Sequence, residues 1–247
     1  PGELGDLPPP WEVDVRDGYG ATGDGETDDA PALQAAFTDL GAEPDRTGHP
    51  QGVVGGRLLI PPGEYVLGST VRIHRFAGIV QGTGVGMPPV PNGAFATGQG
   101  TVLRWAGPPG EPMFEVTDSA YLQIRDLRFL GRDDGRPGVG IRFHKERGHS
   151  QGTNGELLVS DCVFGYWPWT GTDKGRIDCG IELSGHNGDN DQFRIVRCSF
   201  LGADRGEGTT GVRVASTQSI WGSLTDCFFN RMTAGLVTEA SSTAGNP

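Results

Sequence analysis

The chain has 247 residues, enough for one domain with a substantial core. Its formal net charge of −11, with no basic stripe to offset it, argues against nucleic acid as a partner. No apolar run reaches the length of a bilayer span, so no membrane insertion is expected. Forty-two glycines and eighteen prolines exceed ordinary usage without a collagen period, which suits a fold with many tight corners.

Residues 1–10 are rich in proline and read as a linker or extended arm, leaving 11–247 as one domain. Trp11-Glu-Val-Asp-Val15 alternates like a short strand. A glycine-rich loop follows, Asp17-Gly-Tyr-Gly-Ala-Thr-Gly-Asp-Gly-Glu-Thr-Asp-Asp29. A helix is predicted over about 29–40, with Asp28 or Asp29 as N-cap and Ala30, Leu33, Phe37 and Leu40 on its apolar face. Residues 44–56 read as a loop. Arg57-Leu-Leu-Ile-Pro-Pro-Gly-Glu-Tyr-Val-Leu67 reads strand, turn, strand, and short strands follow at Val71-Arg-Ile73 and Ile79-Val80. Residues 87–100 form a long loop suited to a lid or interface, before strands at Thr101-Val-Leu-Arg-Trp105 and Met113-Phe-Glu-Val116.

From residue 121 to 240 the chain repeats itself. Leu122-Gln-Ile-Arg-Asp-Leu-Arg-Phe129, Leu157-Leu-Val-Ser-Asp-Cys-Val-Phe164, Phe193-Arg-Ile-Val-Arg-Cys-Ser-Phe200 and Gly222-Ser-Leu-Thr-Asp-Cys-Phe-Phe229 align in three apolar columns. These are Ile124, Val159, Ile195, Leu224; then Leu127, Cys162, Cys198, Cys227; then Phe129, Phe164, Phe200, Phe229. Two polar residues separate the first and second columns and read as a bend. Each copy is followed by a strand that opens with glycine, at Gly140, Gly180, Gly211 and Gly235. Recurrence every roughly 24 to 40 residues marks stacked units that share one core, a parallel β-solenoid. The cysteine column therefore reads as buried free thiols, with a disulfide or metal site as the alternatives; Cys179 lies outside it.

The loop Asp17–Asp29 with its helix, followed by Gly55-Gly-Arg-Leu-Leu-Ile-Pro-Pro-Gly-Glu-Tyr65, resembles the N-terminal signature of the pectate lyase superfamily, in its rhamnogalacturonase/epimerase-like branch. The resemblance implies an all-β, right-handed, single-stranded parallel β-helix with an N-terminal capping α-helix. It also implies a polysaccharide laid in a groove along the coils. Asp178-Cys-Gly-Ile181 resembles the Asp-Asp segment of polygalacturonases but carries one aspartate. Gly185-His-Asn187 follows its strand where the Gly-His-Gly of those enzymes precedes one, and no Arg-Ile-Lys occurs.

Read residue by residue, the loops between the Phe and Gly columns hold the richest chemistry. Asp173, Asp178, Asp204 and Glu207 form the pool from which two carboxylates could act on a glycosidic bond. Tyr166-Trp-Pro-Trp169 offers Tyr166, Trp167 and Trp169 as flat faces for sugar rings, unless the loop folds back and buries them. Lys174 and Arg176 are the cations for binding an acidic sugar or abstracting its proton. A second loop face follows the Gly-led strands. There His186 is expected to bind substrate and to neighbour His144. Asp189 and Asp191 offer hard oxygen ligands for a calcium ion, with a plain polar turn as the bland alternative.

Two functions follow as expectations: a polysaccharide hydrolase or lyase, or a non-catalytic structural or adhesive module of tailspike type. Residues 239–247 offer no apolar helix to close the stack, so further C-terminal coils or a homo-oligomer, such as a trimer, is expected. The expected location is secreted, extracellular or on a virion surface.

Overall fold

The computed structural model describes residues 12–40, 54–85, 100–131, 138–145, 154–165, 175–202, 208–218 and 221–239. Three parallel sheets run the length of the molecule. The first stacks Glu12–Asp14, Val54–Leu59, Phe76–Gln81, Leu122–Arg125, Leu158–Ser160, Arg194–Val196 and Ser223–Thr225. The second stacks Asp24–Asp28, Gly63–Leu67, Thr101–Trp105, Leu127–Leu130, Val163–Phe164, Ser199–Leu201 and Phe228–Asn230. The third stacks Val71–His74, Pro112–Thr117, Val139–Lys145, Cys179–Asp191, Thr210–Gln218 and Ala234–Thr238. The chain visits the sheets in turn and then steps up one coil, which makes a parallel β-helix.

The alignment columns are physical columns. Phe129 pairs with Phe164, Phe164 with Phe200 and Phe200 with Phe229. Their rings stack at centroid distances of 4.9, 5.0 and 4.9 Å, within 8° of parallel. That distance is close to the spacing of neighbouring strands, so the backbone ladder dictates the ring stack. The glycine column makes room for it. A methyl group on Gly180 would lie 2.5 Å from the Phe200 ring, and Gly140 and Gly211 face Phe164 and Phe229 in the same way.

The bend between the first and second sheets is a single left-handed residue on each coil: Asp126, Asp161, Arg197 and Asp226, with φ of 61, 53, 50 and 53°. Aspartate tolerates that conformation better than most side chains. Asp161 also accepts two hydrogen bonds, at 2.7 and 2.6 Å, from Arg197 one coil on, which hold its carboxyl below the usual range.

The cap is an eleven-residue helix, Ala30–Leu40, burying Ala30, Leu33, Ala36 and Phe37. Phe37 packs edge-on against Phe76 and Phe114, at 5.8 and 6.2 Å. Asp29 acts as N-cap, its carbonyl taking the first intrahelical bond from Leu33. Its buried carboxylate accepts from the Thr22 and Gly23 amides at 2.7 and 3.0 Å, which folds the glycine-rich loop against the helix. The Gln34 amide bonds both to the carbonyl of Arg72, at 3.1 Å, and to its N–H, at 2.8 Å. It satisfies the edge strand Val71–His74 as a neighbouring peptide would.

Three expectations need correction. Residues 15–28 were expected to be strand end and loop, but they contain a short helix, Val15–Tyr19, and a strand, Asp24–Asp28. The loop reading of 44–56 runs too far, since the strand starts at Val54. The polar turn expected at Asp189-Asn-Asp191 is instead the end of the strand Cys179–Asp191. Extended backbone turns Asn190 inward, where it is fully buried and bonds to Asn154 at 2.9 Å. Asn154 in turn accepts from the Ser119 amide at 2.9 Å, so a polar ladder lines the corner between the third and first sheets.

All four cysteines are free thiols; Cys162, Cys179 and Cys198 are buried and Cys227 is half-buried in the last coil. Burial pushes the Cys162 thiol well up and Cys179 to about 12. A raised thiol pKa adds stability that is complete below the ordinary value of 9.0 and is lost as pH climbs toward the folded value. Burial should leave Cys162, Cys179 and Cys198 unmodified by Ellman's reagent in the native protein at pH 8, and the raised Cys162 and Cys179 should make its denaturation midpoint drop as pH rises from 9 to 12. Rapid native modification of all four would contradict this. Gly180→Ala should cost about 1–3 kcal/mol through overpacking against Phe200. Phe200→Ala should cost about 3–5 kcal/mol by opening the ring stack. Urea titration measures both.

Candidate functional site: the outer face of the third sheet

Along each third-sheet strand, alternate side chains point outward. Register then brings one outward residue per coil into a line: Arg72 opposite Glu115, Glu115 opposite Arg142, Arg142 opposite Glu182, and Glu182 opposite Arg213. The charges alternate, and three of the four neighbouring pairs touch. Arg72 Nε lies 3.4 Å from Glu115, Arg142 Nε donates to Glu182 at 2.8 Å, and Arg213 reaches Glu182 at 3.3 Å and Glu239 at 3.4 Å. Glu182 sits between Arg142 and Arg213 and is only 7% exposed, so both of its guanidinium partners act in a partly dry setting.

Two residues further along the strands runs a second row, of imidazoles and hydroxyls. His74 Nδ1 lies 2.8 Å from the Thr117 hydroxyl, and His144 Nδ1 lies 3.1 Å from the Ser184 hydroxyl. The face thus presents carboxylates, guanidiniums and imidazoles at the spacing of the coils. Such an array can hold sugar hydroxyls through charge-assisted hydrogen bonds.

The candidates named from sequence fall in three groups. Asp178 and Arg176 are half-buried just ahead of the strand Cys179–Asp191, at the corner where the second sheet gives way to the third. Asp178 precedes Glu182 by four extended residues, which separates them by roughly 13 Å. That exceeds the separation of glycosidase carboxylates, so these two do not form a hydrolytic pair. Asp173, Asp204, Glu207, Tyr166, Trp167, Trp169 and Lys174 lie outside the described residues. His186, Asp189 and Asp191 belong to the strand Cys179–Asp191, with side chains outside the described set. His144 was expected beside His186, but its register partner is Ser184. Among the described residues, no group of three or more His, Cys, Asp or Glu side chains is placed to hold a metal ion.

Sequence reasoning looked to the loops and missed the charged row, although its trace is visible. The third residue of the first three Gly-led strands is Arg142, Glu182 and Arg213 in turn, and the fourth carries Val237. Alternating sign at one repeat position signals a ladder of ion pairs on a shared face.

A family model described as Rhamnogalacturonase A/epimerase, pectate lyase-like, matches residues 13–245, and the chain belongs to that family. It is similar to the A-module of a mannuronan C-5 epimerase from Azotobacter vinelandii, 16% identical over 91% of this chain and 58% of that one, TM-score 0.49. It is similar to the tailspike protein of Dettilon, 12% identical over 87% of this chain and 38% of that one, TM-score 0.48. It is also similar to ORF18 of Geobacillus virus E2, 15% identical over 93% of this chain and 62% of that one, TM-score 0.34. The chain spans 62% or less of the length of these three relatives. No curated protein matches it. Among the described residues, no helix is long and apolar enough to cross a membrane.

Removing one guanidinium from the row tests its cohesion. Arg142→Ala leaves the buried Glu182 carboxylate with Arg213 alone and should cost on the order of 1–3 kcal/mol. Arg72, whose side chain is 73% exposed, should cost less than about 0.5 kcal/mol as alanine. Equal losses in urea titrations of the two variants would contradict the assigned geometry.

Proposed function

We propose that this β-helix binds a polysaccharide lengthwise along the outer face of the third sheet and hydrolyses it there. The observation that carries the reading is the in-register row, one charged side chain on each of five successive coils along the axis of the molecule. A polymer of pyranose units has a repeat close to the rise of one coil, so successive sugars meet successive rungs.

Glu115 and Glu182 are the carboxylates assigned to bond cleavage, one as general acid and the other as general base. Two ladder steps separate their backbones by about 9.6 Å. That lies at the wide end of the range for inverting enzymes, where a water must fit between base and sugar. Arg142 stands between them, and His144 lies two residues along the same strand. The row is close to neutral in sum, and the chain carries −11 overall. Both facts favour a neutral glycan over a polyuronate, which the surrounding field would repel.

A non-catalytic adhesive module is the second reading. It is favoured by the pairing of Glu182 with two arginines, which a purely structural ladder would also show.

A screen of polysaccharides, read for new reducing ends and for the absorbance of unsaturated uronates, separates the readings. The proposal expects reducing ends alone. It further expects Glu115→Gln and Glu182→Gln each to lose about 10²-fold or more in rate with the fold intact. Unsaturated products would replace hydrolysis with elimination. Activity unchanged in both variants would remove the two glutamates from the chemistry. No product from any glycan would leave the adhesive reading standing.

A further inference from the structure

The corner between the third and first sheets carries a second column of left-handed residues: Tyr121, Glu156, Gln192 and Trp221, with φ of 57, 52, 56 and 59°. Their alignment follows from the first-sheet register, where Gln123, Leu158, Arg194 and Ser223 pair in sequence two residues later. The Tyr121 amide donates to the Gly155 carbonyl on the next coil at 2.9 Å. Phe193 packs tightly against Gly222, which anchors the backbone under Trp221.

The two rings are the most exposed large apolar side chains among the described residues, Tyr121 at 68% and Trp221 at 75%. Their backbone setting makes this more unusual. A bulky side chain at positive φ is an outlier that costs stability, and such outliers gather at functional positions. The corner between the first and second sheets faces the same demand and meets it with Asp126, Asp161 and Asp226, residues suited to the turn, and with Arg197, whose guanidinium bonds back to Asp161. Local energetics would favour such residues at Tyr121 and Trp221 too. The aromatic rings stand where neither packing nor turn chemistry calls for them.

We infer that this corner is a binding strip for a neutral polysaccharide, with Tyr121 and Trp221 as stacking platforms. Three ladder steps place them about 14 Å apart along the axis, so one extended oligosaccharide spans both. Between them stand Glu156 and Gln192, with Arg194 bonded to Glu156 at 3.3 Å, as hydrogen-bonding groups for sugar hydroxyls. Apolar faces interleaved with amide, carboxylate and guanidinium groups match the two-sided chemistry of a pyranose. The strip lies on a different part of the coil from the charged row, and it does not rest on the catalytic reading of that row.

The test uses the full chain and the double variant Tyr121→Asn/Trp221→Asn. Asparagine removes both rings and suits positive φ, so the variant should melt at the same Tm or higher. The probes are hexasaccharides of β-1,4-glucan, β-1,4-xylan, β-1,4-mannan and β-1,3-glucan, with pentagalacturonate as the anionic comparison. Binding is followed by tryptophan fluorescence and calorimetry. At least one neutral hexasaccharide should bind the parent, and the double variant should bind it roughly tenfold or more weakly. Glu26→Gln, exposed on the glycine-rich loop at the cap and remote from both faces, should bind it as the parent does. Absence of binding by all four neutral probes, binding of pentagalacturonate alone, or unchanged affinity in the double variant would overturn the inference. So would a parent dimer that becomes a monomer in the double variant without any glycan effect, since the rings would then serve a protein contact.

Discussion

Everything in this molecule depends on like residues lying above like residues at the spacing of hydrogen-bonded strands. Parallel pairing fixes that spacing, and an in-register ladder then has to accept whatever side chain each column repeats. Phenylalanine suits the arrangement because flat rings can stack at about the strand separation. The stack of Phe129, Phe164, Phe200 and Phe229 is therefore backbone geometry expressed in side chains. Glycine at the head of the third-sheet strands is the matching concession, since a Cβ there would enter the rings. Neither column makes sense without the other.

The same rule that builds the core also builds the surface. Inward columns repeat one kind of apolar residue, because identical groups pack well on themselves. A column of identical charges would repel itself, so the outward row alternates arginine and glutamate. Register thus converts a repeat in sequence into a line of ion pairs along the axis. The ends of the stack need a different solution, because a ladder leaves its last strand unpaired. At the N-terminal side the helix Ala30–Leu40 supplies both an apolar lid through Leu33 and Phe37 and a surrogate peptide through Gln34. In the last described coil, Phe228 and Leu236 are about half exposed and Cys227 is only partly covered.

Much of this was legible in the sequence. The three apolar columns, the glycine column and the bend all survive in the structure at the positions the alignment gives them, because periodicity directly encodes stacking. The cap was legible from Asp29 and the apolar face of its helix. The short helix Val15–Tyr19 was not, since its five residues show no usable period and it is set by the Asp14 side chain accepting from the Arg16 and Asp17 amides. Asp189-Asn-Asp191 was misread because turn-forming residue types were given more weight than their place in a ladder. Asn190 is there to face inward against Asn154. The candidate site was read less well than the fold. Loops drew attention for their dense charges, whereas the ordered row sits inside strands, one residue at a time, and emerges only after register is known.

The most direct test of this account is the distance between nitroxide labels placed at Arg57→Cys and Ser223→Cys in a Cys227→Ala background. Both positions lie on the outer face of the first sheet, linked through Ile79, Gln123, Leu158 and Arg194. Five ladder steps predict one narrow distribution centred on a backbone separation of about 24 Å, broadened only by the label arms. A broad distribution, or a centre displaced by more than the label arms allow, would show that the coils do not stack in register.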